Sequence, residues 1–421
     1  MTEPTKPSTS PGLLRRLGPG LITGAADDDP SGIATYSQVG AQFGYGMAWT
    51  MLFSLPFMIV IQEISGRIGC ISGRGIAENL RRHYAVWLVR SVVALLLVAN
   101  TINLGADLGA MGAALRLLLG GNQHLYTIGF GIVCVLAEIF IRYARYARTL
   151  KWLTVSLFAY VAVVFAVHVP WAEALHATFV PHMALNLTSA MALVAVLGTT
   201  ISPYLFFWQS ALEVEDCKRR SGPPLRDTPL ASPPQFHRIR LDTAVGMVIS
   251  NLIAIFIIYA TAATLHATGI TNIQTSSQAA EALRPIAGKF AFAVFALGIV
   301  GTGLLAVPVL AGSGAYAIAE TFKWREGLDK RMLHAKLFYA AIAISTLAGI
   351  ALNFTSLDPV KALYWAAVVN GVLAAPVMAV IMLLAGNPKV MGSLVLPRSM
   401  MVIGWLATLI MLTASICFFV L

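Results

Sequence analysis

Apolar runs of about 20 residues recur from one end of the chain to the other, separated by short polar stretches. A helix of that length crosses the ~30 Å hydrocarbon core of a bilayer. Only 11% of the residues are charged and 57% are hydrophobic, whereas soluble domains average roughly 25% charged residues. The sequence therefore predicts an all-α integral membrane protein with one transmembrane domain, residues 15–421, and no separate soluble domain.

Charged or Gly/Pro-rich interruptions divide the apolar runs into eleven predicted transmembrane spans. Their expected limits are residues 15–41, 45–66, 88–119, 125–143, 149–170, 188–213, 241–267, 288–321, 336–354, 361–386 and 399–421. Residues 1–14 are polar and rich in Pro, Ser and Thr, without the apolar run of a signal peptide. We expect them to form a disordered cytoplasmic tail.

The lysines and arginines indicate the orientation of these spans. With the N-terminus in the cytoplasm, 25 of the 29 basic residues fall in the tail and in the loops after even-numbered spans, as the positive-inside rule requires. Topology thus explains the net charge of +10, and no nucleic-acid partner is needed to account for it. The basic, Pro-rich loop 214–240 is predicted to be a disordered connector on the anionic cytoplasmic leaflet of the plasma membrane.

Two of the predicted spans are interrupted. The first breaks at "DDDPSG", residues 27–32, and the sixth at "GTTISPY", residues 198–204, where Pro203 removes a helical hydrogen bond. Unwound backbone at membrane depth persists only where it is buried in protein or lines a cavity. Broken helices five spans apart indicate a transporter built from 5+5 inverted repeats, with its site at the bilayer midplane. The repeats would cover about 15–170 and 188–386, with 399–421 as an additional helix.

The first break contains three consecutive aspartates, Asp27, Asp28 and Asp29. A carboxylate at membrane depth is costly and usually functional, with a cationic partner. Because no lysine or arginine follows Arg16 in this span, the missing positive charge would be the substrate. Carboxylate oxygens suit Mg²⁺, Mn²⁺ or Ca²⁺. We predict that Asp29 ligates the metal. Asp27 and Asp28 either join it or only cap and solvate the break in a water-filled vestibule.

The segments "GPGLITGAADDDPSGIATYSQVGAQFGYGMAWTMLF" and "QEISGRIGCISGRGIAENLRRHY" resemble the start of the Nramp divalent-metal transporters. That family has a D-P-G-N motif in its first helix, followed by "GA..GY..LW" and "R.G..TG..LAE". The resemblance continues through "ADLGAMGAALRLLLG", the sixth span, "GTGLLAVPVLAGSGAYAIAE" and "NPKVMG", and so covers nearly the whole chain. It implies a LeuT-like architecture and secondary transport of divalent metal cations by alternating access. The metal would be the substrate of a monomeric protein that needs no resident cofactor.

Aligned with the motifs of the first and sixth helices, the family's metal-binding aspartate falls on Asp29, and the motif's asparagine falls on Gly32. In the sixth helix the family's carbonyl ligand falls on Thr199 and its thioether ligand on Ser202. A hydroxyl, or a water that it holds, favours hard ions over soft ones. The resemblance, with this departure, therefore predicts weak discrimination against Mg²⁺ or Ca²⁺.

The residues that could carry protons depart from the family as well. Its two sixth-helix histidines become Tyr204 and Gln209, and the glutamate that follows the third-helix acid becomes Ala110. Asp107 remains, either as a proton carrier or as a structural partner of a polar neighbour. Because groups that titrate near neutral pH are lost, we predict weak or absent proton coupling.

Two further polar residues are candidates for the transport path. Gln38 matches a glutamine of the family's first helix, and a hydrogen bond between helices is an equally good interpretation. Asn370, beside Gly371 in the tenth span, could offer its amide oxygen to the ion. The cysteines, at positions 70, 134, 217 and 417, lack C-x-x-C spacing and are expected to be thiols.

The sequence also bears on two other functional classes. A sodium-coupled carrier of small organic solutes could use the same architecture, with the aspartates binding an amine. A membrane-embedded enzyme is not expected, because the chain lacks H-E-x-x-H, lacks G-x-G-D around Asp107, and has Ala311 where a serine-protease motif needs glycine.

Overall fold

A computed structural model describes residues 19–141, 153–328, 330–355 and 358–421, and most of these are helical. The predicted tail, residues 1–14, and the basic residues between 142 and 151 lie outside the described part. The first nine helices are α1 Pro19–Asp27, α2 Pro30–Phe43, α3 Trp49–Ser72, α4 Ile76–His83, α5 Val86–Leu119, α6 Gln123–Phe140, α7 Phe158–Ala166, α8 Trp171–Phe179 and α9 Leu187–Thr200. The others are α10 Pro203–Ser221, α11 Ser232–Thr264, α12 Ser276–Glu281, α13 Arg284–Ala287, α14 Ala291–Phe322, α15 Lys336–Leu352, α16 Pro359–Ala385, α17 Pro388–Met391 and α18 Arg398–Val420.

These helices follow the predicted spans closely. Eight helical stretches within the described residues are long and apolar enough to cross a membrane. The first span is divided into α1 and α2, and the fifth and ninth are shorter apolar helices, Val155–Ala166 and Lys336–Leu352. Large apolar side chains cover the outside of the bundle, among them Trp87, Leu119, Phe140 and Phe419. A surface of this kind is stable against lipid rather than water, so the prediction of an all-α membrane protein is confirmed.

The two divided spans cross each other at their breaks. Helix α1 packs against α10, and α2 packs against α9, so the two halves of span 1 meet opposite halves of span 6. Pro30 and Pro203 each stand at the first position of the second half-helix, where proline costs no hydrogen bond and its fixed φ favours the helix. Both breaks therefore face the interior of the bundle at one level, as predicted.

The second spans of the two predicted repeats, spans 2 and 7, pack in a similar way. Helix α11, in span 7, lies along α1 so closely that a Cβ on Gly24 would collide with the backbone of Gly246. Helix α3, in span 2, lies along α10 in the same manner, with Gly69 against the backbone of Ser210. Each repeat thus packs its second span against the first span of the other repeat.

Two expectations, about the cysteines and about the segment 214–240, are wrong. Cys70 and Cys217 form a disulfide, with Cα atoms 5.6 Å apart, because the close packing of α3 on α10 brings them together. The segment 214–240 is mostly helical, since α10 continues to Ser221 and α11 begins at Ser232. Its prolines Pro233 and Pro234 lie in the first turn of α11, where a missing N–H is harmless.

Candidate functional site

The carboxylate of Asp29 begins the second half of span 1. Asp29 has extended backbone (φ −70°, ψ 170°) and is the N-cap of α2. Its Oδ1 accepts hydrogen bonds from the backbone N–H of Gly32 at 2.7 Å and from the hydroxyl of Ser31 at 2.8 Å. An aspartate in this position satisfies the free N–H groups of the helix start and interacts favourably with the helix dipole. One of its oxygens is thereby held by its own helix.

The other oxygen of Asp29 faces the third and sixth spans. Asn103 Nδ2 donates to Asp29 Oδ2 at 3.1 Å, and the hydroxyl of Tyr204 lies 3.3 Å from the same atom and 3.2 Å from the carbonyl oxygen of Ala26. Asp29 is only 2% exposed, and none of the ion pairs found among the described residues includes it. The carboxylate is therefore buried, and the groups that hydrogen-bond to it are neutral donors.

The break in span 6 presents oxygens to the same region. The hydroxyl of Ser202 turns back to the carbonyl oxygens of Gly198 at 2.8 Å and Thr199 at 2.9 Å. The hydroxyl oxygen of Thr199 is buried and interacts with the hydroxyl of Tyr36 on α2. A Cβ on Gly32 would lie 3.1 Å from that oxygen, so the side chain of Thr199 packs directly against the first break. This close contact favours glycine where the family motif has asparagine.

Helix α5 adds two polar residues one helical turn apart. Asn103 and Asp107 lie on one face of the helix, and Asn103 contacts Asp29 directly. Asp107 is fully buried, and its carboxylate interacts with the backbone of Ser31 at the start of α2. The amide oxygen of Asn103 has no hydrogen-bond partner. Sequence reasoning missed Asn103. The sequence feature that could have identified Asn103 is its four-residue spacing from Asp107, which places both residues on one face of the helix.

Asp27 and Asp28 do not join Asp29. The hydroxyl of Ser250, on α11, lies 2.6 Å from Asp27 Oδ2 and 3.0 Å from Asp28 Oδ1. Both carboxylates therefore turn toward span 7, whereas Asp29 turns toward spans 3 and 6. Ser250 was not identified from the sequence.

The remaining candidates lie away from Asp29. Gln38 binds the loop after α11, because its Oε1 accepts from the backbone of Ile273 at 2.8 Å and its Nε2 donates to the carbonyl oxygen of Thr271 at 3.3 Å. The interpretation of Gln38 as a tether, rather than a lining residue, fits this placement. Asn370 is buried on α16, which packs tightly on α9, and no hydrogen bond joins it to Asp29.

Gln209 lies on α10, the second half of span 6. Its Oε1 accepts from the hydroxyl of Thr23 at 2.6 Å. Asp242 Oδ2 accepts from the backbone N–H of Gly20 at 2.7 Å and so holds the start of the same half-helix, α1. These contacts hold α1 against α10 and α11.

Two cavities, of about 380 and 530 Å³, lie away from these contacts. Both are lined in part by Glu78, Glu320 and Glu326.

The site offers hard oxygen ligands. Within the described residues, no three His, Cys, Asp or Glu side chains converge as in a closed metal centre. An ion beside Asp29 would therefore be held by at most two carboxylates, completed by neutral oxygens such as those of Asn103, Thr199 and the unwound backbone. Such a ligand set suits Mg²⁺, Mn²⁺ or Ca²⁺, and its incompleteness suits an ion that must be released.

Comparison with known proteins gives a consistent family match. The model of the family described as natural resistance-associated macrophage protein-like, or Nramp, matches residues 20–421. Two relatives are named divalent metal cation transporter MntH. The one from Deinococcus radiodurans is 27% identical over 412 residues, which cover 96% of this chain and 89% of the relative. The one from Klebsiella pneumoniae (strain 342) is 25% identical over 410 residues, which cover 96% and 93%.

Solved structures share the fold. The manganese transporter of Eremococcus coleocola, in complex with an aromatic bis-isothiourea substituted compound, superposes with a TM-score of 0.73 at 16% identity, covering 98% of this chain and 88% of that one. Mhp1, a nucleobase-cation-symport-1 family transporter, superposes with a TM-score of 0.58 at 15% identity, covering 97% and 94%. At these identities the likeness concerns the architecture alone, and it confirms the predicted LeuT-like fold.

Proposed function

The chain belongs to the Nramp family of membrane transporters, and on that premise we propose that it moves divalent metal cations across the membrane by alternating access. The observation that carries the proposal is the burial of Asp29 between the two helix breaks, where it contacts neutral donors from spans 3 and 6. A buried carboxylate without a cationic side chain is stabilised by a cation that binds there. The named relatives, which are divalent metal cation transporters, support a metal ion as that cation.

In this proposal Asp29 is the chief anionic ligand, and Thr199 and Ser202 complete the site from span 6. Asn103 positions the Asp29 carboxylate through its amide and can offer its unpartnered oxygen to the ion. Because none of these ligands is sulfur, the site accepts Mn²⁺ and discriminates little against Mg²⁺ or Ca²⁺. Gln209 acts on the cytoplasmic closure through Thr23, and Asn370 lines the path from span 10.

Transport is proposed to proceed with weak or absent proton coupling, because Tyr204, Gln209 and Ala110 replace groups that titrate in the family. The protein acts as a monomer in the plasma membrane, with its N-terminus in the cytoplasm. Its repeats comprise about 15–170 and 188–386, and α18 is an addition to them. The alternative of a sodium-coupled carrier of organic solutes is not favoured, since the family and the named relatives are metal transporters.

Uptake by proteoliposomes tests the proposal. Vesicles containing the full chain, and protein-free vesicles, receive Mn²⁺, Mg²⁺, Ca²⁺, Fe²⁺ or Cd²⁺ at matched concentrations, with labelled amino acids as a further arm. We expect protein-dependent uptake of Mn²⁺, with Mg²⁺ or Ca²⁺ competing. Retention of an amino acid without metal uptake would contradict metal transport and favour the organic-solute carrier.

A further inference from the structure

One face of α10, the second half of span 6, leads from Asp29 to the larger cavity. Tyr204, Trp208, Ala211 and Glu215 follow one another on this helix at spacings of four, three and four residues, so they share one side of it. The hydroxyl of Tyr204 lies 3.3 Å from Asp29. Ala211 and Glu215 line the cavity of about 530 Å³, and Glu215 stands roughly 16 Å further along the helix axis than Tyr204. A row of side chains therefore joins the candidate metal site to the cavity.

Trp208 closes the space between α10 and α14 in the middle of this row. Its side chain is fully buried and lies against Gly312 on α14. The fit is so close that a Cβ added to Gly312 would lie 2.6 Å from Cζ3 of the indole ring. The indole ring also meets the ring of Tyr316 edge to face, with centroids 6.3 Å apart. Passage between α10 and α14 at this level therefore requires Trp208 to move.

A hydrogen bond next to Trp208 joins the same two helices. The hydroxyl of Tyr316, on α14, donates to Glu215 Oε1 at 2.7 Å and accepts from the backbone N–H of Leu328 at 3.1 Å. A phenol hydroxyl has one hydrogen, and because the oxygen accepts from Leu328, that hydrogen is directed to Glu215. A carboxylate is a strong acceptor. The contact between Tyr316 and Glu215, which we call the latch, holds α10 against α14 at the edge of the cavity.

Beyond the latch, the cavity separates α10 from α14. Its wall includes Val214 and Glu215 from α10, and Tyr316 and Glu320 from α14. Protein interiors are otherwise close-packed, so α10 can move away from α14 at the cavity with few packing contacts to break. Opening on this side therefore depends mainly on the latch and on the contacts of Trp208.

We propose that the latch keeps Trp208 in its closed position between Asp29 and the cavity, and that the metal passes through the cavity when the latch opens. The inference rests on the proposed function in taking a divalent cation at Asp29 as the substrate. Tyr316 and Glu215 are positioning residues, because they act through Trp208 and do not ligate the ion. They set how often the path opens on one side of the membrane, and hence how fast bound metal leaves.

Release of bound metal from the purified full chain tests the latch. The protein is loaded with ⁵⁴Mn²⁺ and diluted into excess unlabelled Mn²⁺, and rapid filtration gives the dissociation rate. Tyr316→Phe keeps the ring and removes the hydroxyl, so release should be roughly three- to tenfold faster, as for the loss of one hydrogen bond. Glu215→Ala should accelerate release similarly, and the double variant should be no faster than either single variant. Glu215→Gln keeps an acceptor oxygen for Tyr316 and should release metal at the wild-type rate.

A chemical block of the cavity tests the route. In a Cys417→Ala background, with Cys134 buried, Val214→Cys places a thiol in the cavity wall. Leu230→Cys places one at an exposed position before α11 as the control. Reaction with a bulky water-soluble maleimide should slow ⁵⁴Mn²⁺ release severalfold in Val214→Cys and leave it unchanged in Leu230→Cys.

The outcomes separate this inference from the proposed function. No ⁵⁴Mn²⁺ binding to the wild type would overturn both. Binding with an unchanged release rate in Tyr316→Phe and Glu215→Ala would overturn the latch and leave metal transport intact. Additive effects in the double variant, or release from Glu215→Gln as fast as from Glu215→Ala, would do the same. Unslowed release from the modified Val214→Cys protein would contradict passage through this cavity.

Discussion

The hydroxyl of Tyr204, at the start of the second half of span 6, lies 3.3 Å from Oδ2 of Asp29 in the break of span 1. This contact joins the two broken helices at their crossing. Tyr204 stands where the family has a histidine, so the chain keeps a hydrogen-bond donor to its central carboxylate while losing a group that titrates near neutral pH. The substitution thus preserves the positioning of Asp29 and changes the proton chemistry around it.

Removing that hydroxyl should weaken metal handling without abolishing it. Tyr204→Phe keeps the buried ring, and Asn103 still donates to Asp29, so the KM for Mn²⁺ uptake should rise by roughly three- to tenfold, as for the loss of one long hydrogen bond of ordinary strength. Uptake kinetics in proteoliposomes measure the change. An unchanged KM would mean that Tyr204 does not position Asp29 in the transporting protein.

A sulfur ligand in the break of span 6 should change selectivity. Ser202→Met removes a hydroxyl and introduces the soft thioether of the family pattern, which favours Cd²⁺ and Mn²⁺ over Mg²⁺. We expect the ratio of Cd²⁺ to Mg²⁺ uptake to rise severalfold when both are measured at equal concentration. If the ratio stays constant in a variant with normal Mn²⁺ uptake, Ser202 does not face the ion.

Metal entry should proceed without matching proton entry. The membrane potential alone favours cation entry by ~2.3 kcal/mol per charge per 100 mV, so uptake has a driving force without protons. A pH-sensitive dye inside proteoliposomes should show no metal-dependent acidification while metal entry is recorded in parallel. Acidification that accompanies metal entry and disappears in Asp107→Asn would reverse the conclusion and make Asp107 the proton carrier.

The loop after α14 should make the stability of the protein depend on pH. Burial, with Glu78 next and Lys330 opposing, raises the pKa of Glu326 to about 8, above its ordinary value of 4.5. Between pH 4.5 and pH 8, native Glu326 therefore holds a proton that the unfolded chain releases. The resulting loss of folding stability is absent below pH 4.5, grows as the pH rises to 8 and is constant above pH 8. At pH 8.5, Glu326→Gln should raise the Tm and increase the free energy of unfolding by ~1–2 kcal/mol after a reduction for solvent screening. The increase should be much smaller at pH 5. Scanning fluorimetry measures the Tm of the variant and of the wild type at each pH. A difference in Tm that shrinks as the pH rises would contradict the prediction.

The sequence was sufficient for features that depend on local pattern. Apolar length predicted the spans, and Pro30 and Pro203 beside short polar stretches predicted both breaks, because hydrophobicity and helix interruption are properties of neighbouring residues. Asp29 stood out because it has no nearby cation along the chain. Proline misled at 214–240, where its usual meaning as a loop signal gave way to its acceptance in the first turn of a helix.

Pairings between distant residues could not be predicted in this way. Asn103 meets Asp29 across 74 residues, Ser250 meets Asp28 across 222, and Cys70 meets Cys217 across 147. Each pairing depends on which helices pack together and in what register, and single-residue propensities carry no such information. For the same reason the aspartates could not be divided between two clusters until α11 was placed against α1.

The central claim is that Asp29 carries the charge that binds the transported metal, and Asp29→Asn tests it most directly. Asparagine caps a helix as well as aspartate does, so the variant keeps the start of α2 and removes only the charge; Asp358→Asn makes the same change at another cap. We predict that initial Mn²⁺ uptake into proteoliposomes falls at least tenfold in Asp29→Asn, which corresponds to about 1.4 kcal/mol or more, and stays at the wild-type rate in Asp358→Asn. Wild-type uptake by a normally folded Asp29→Asn protein would contradict the account.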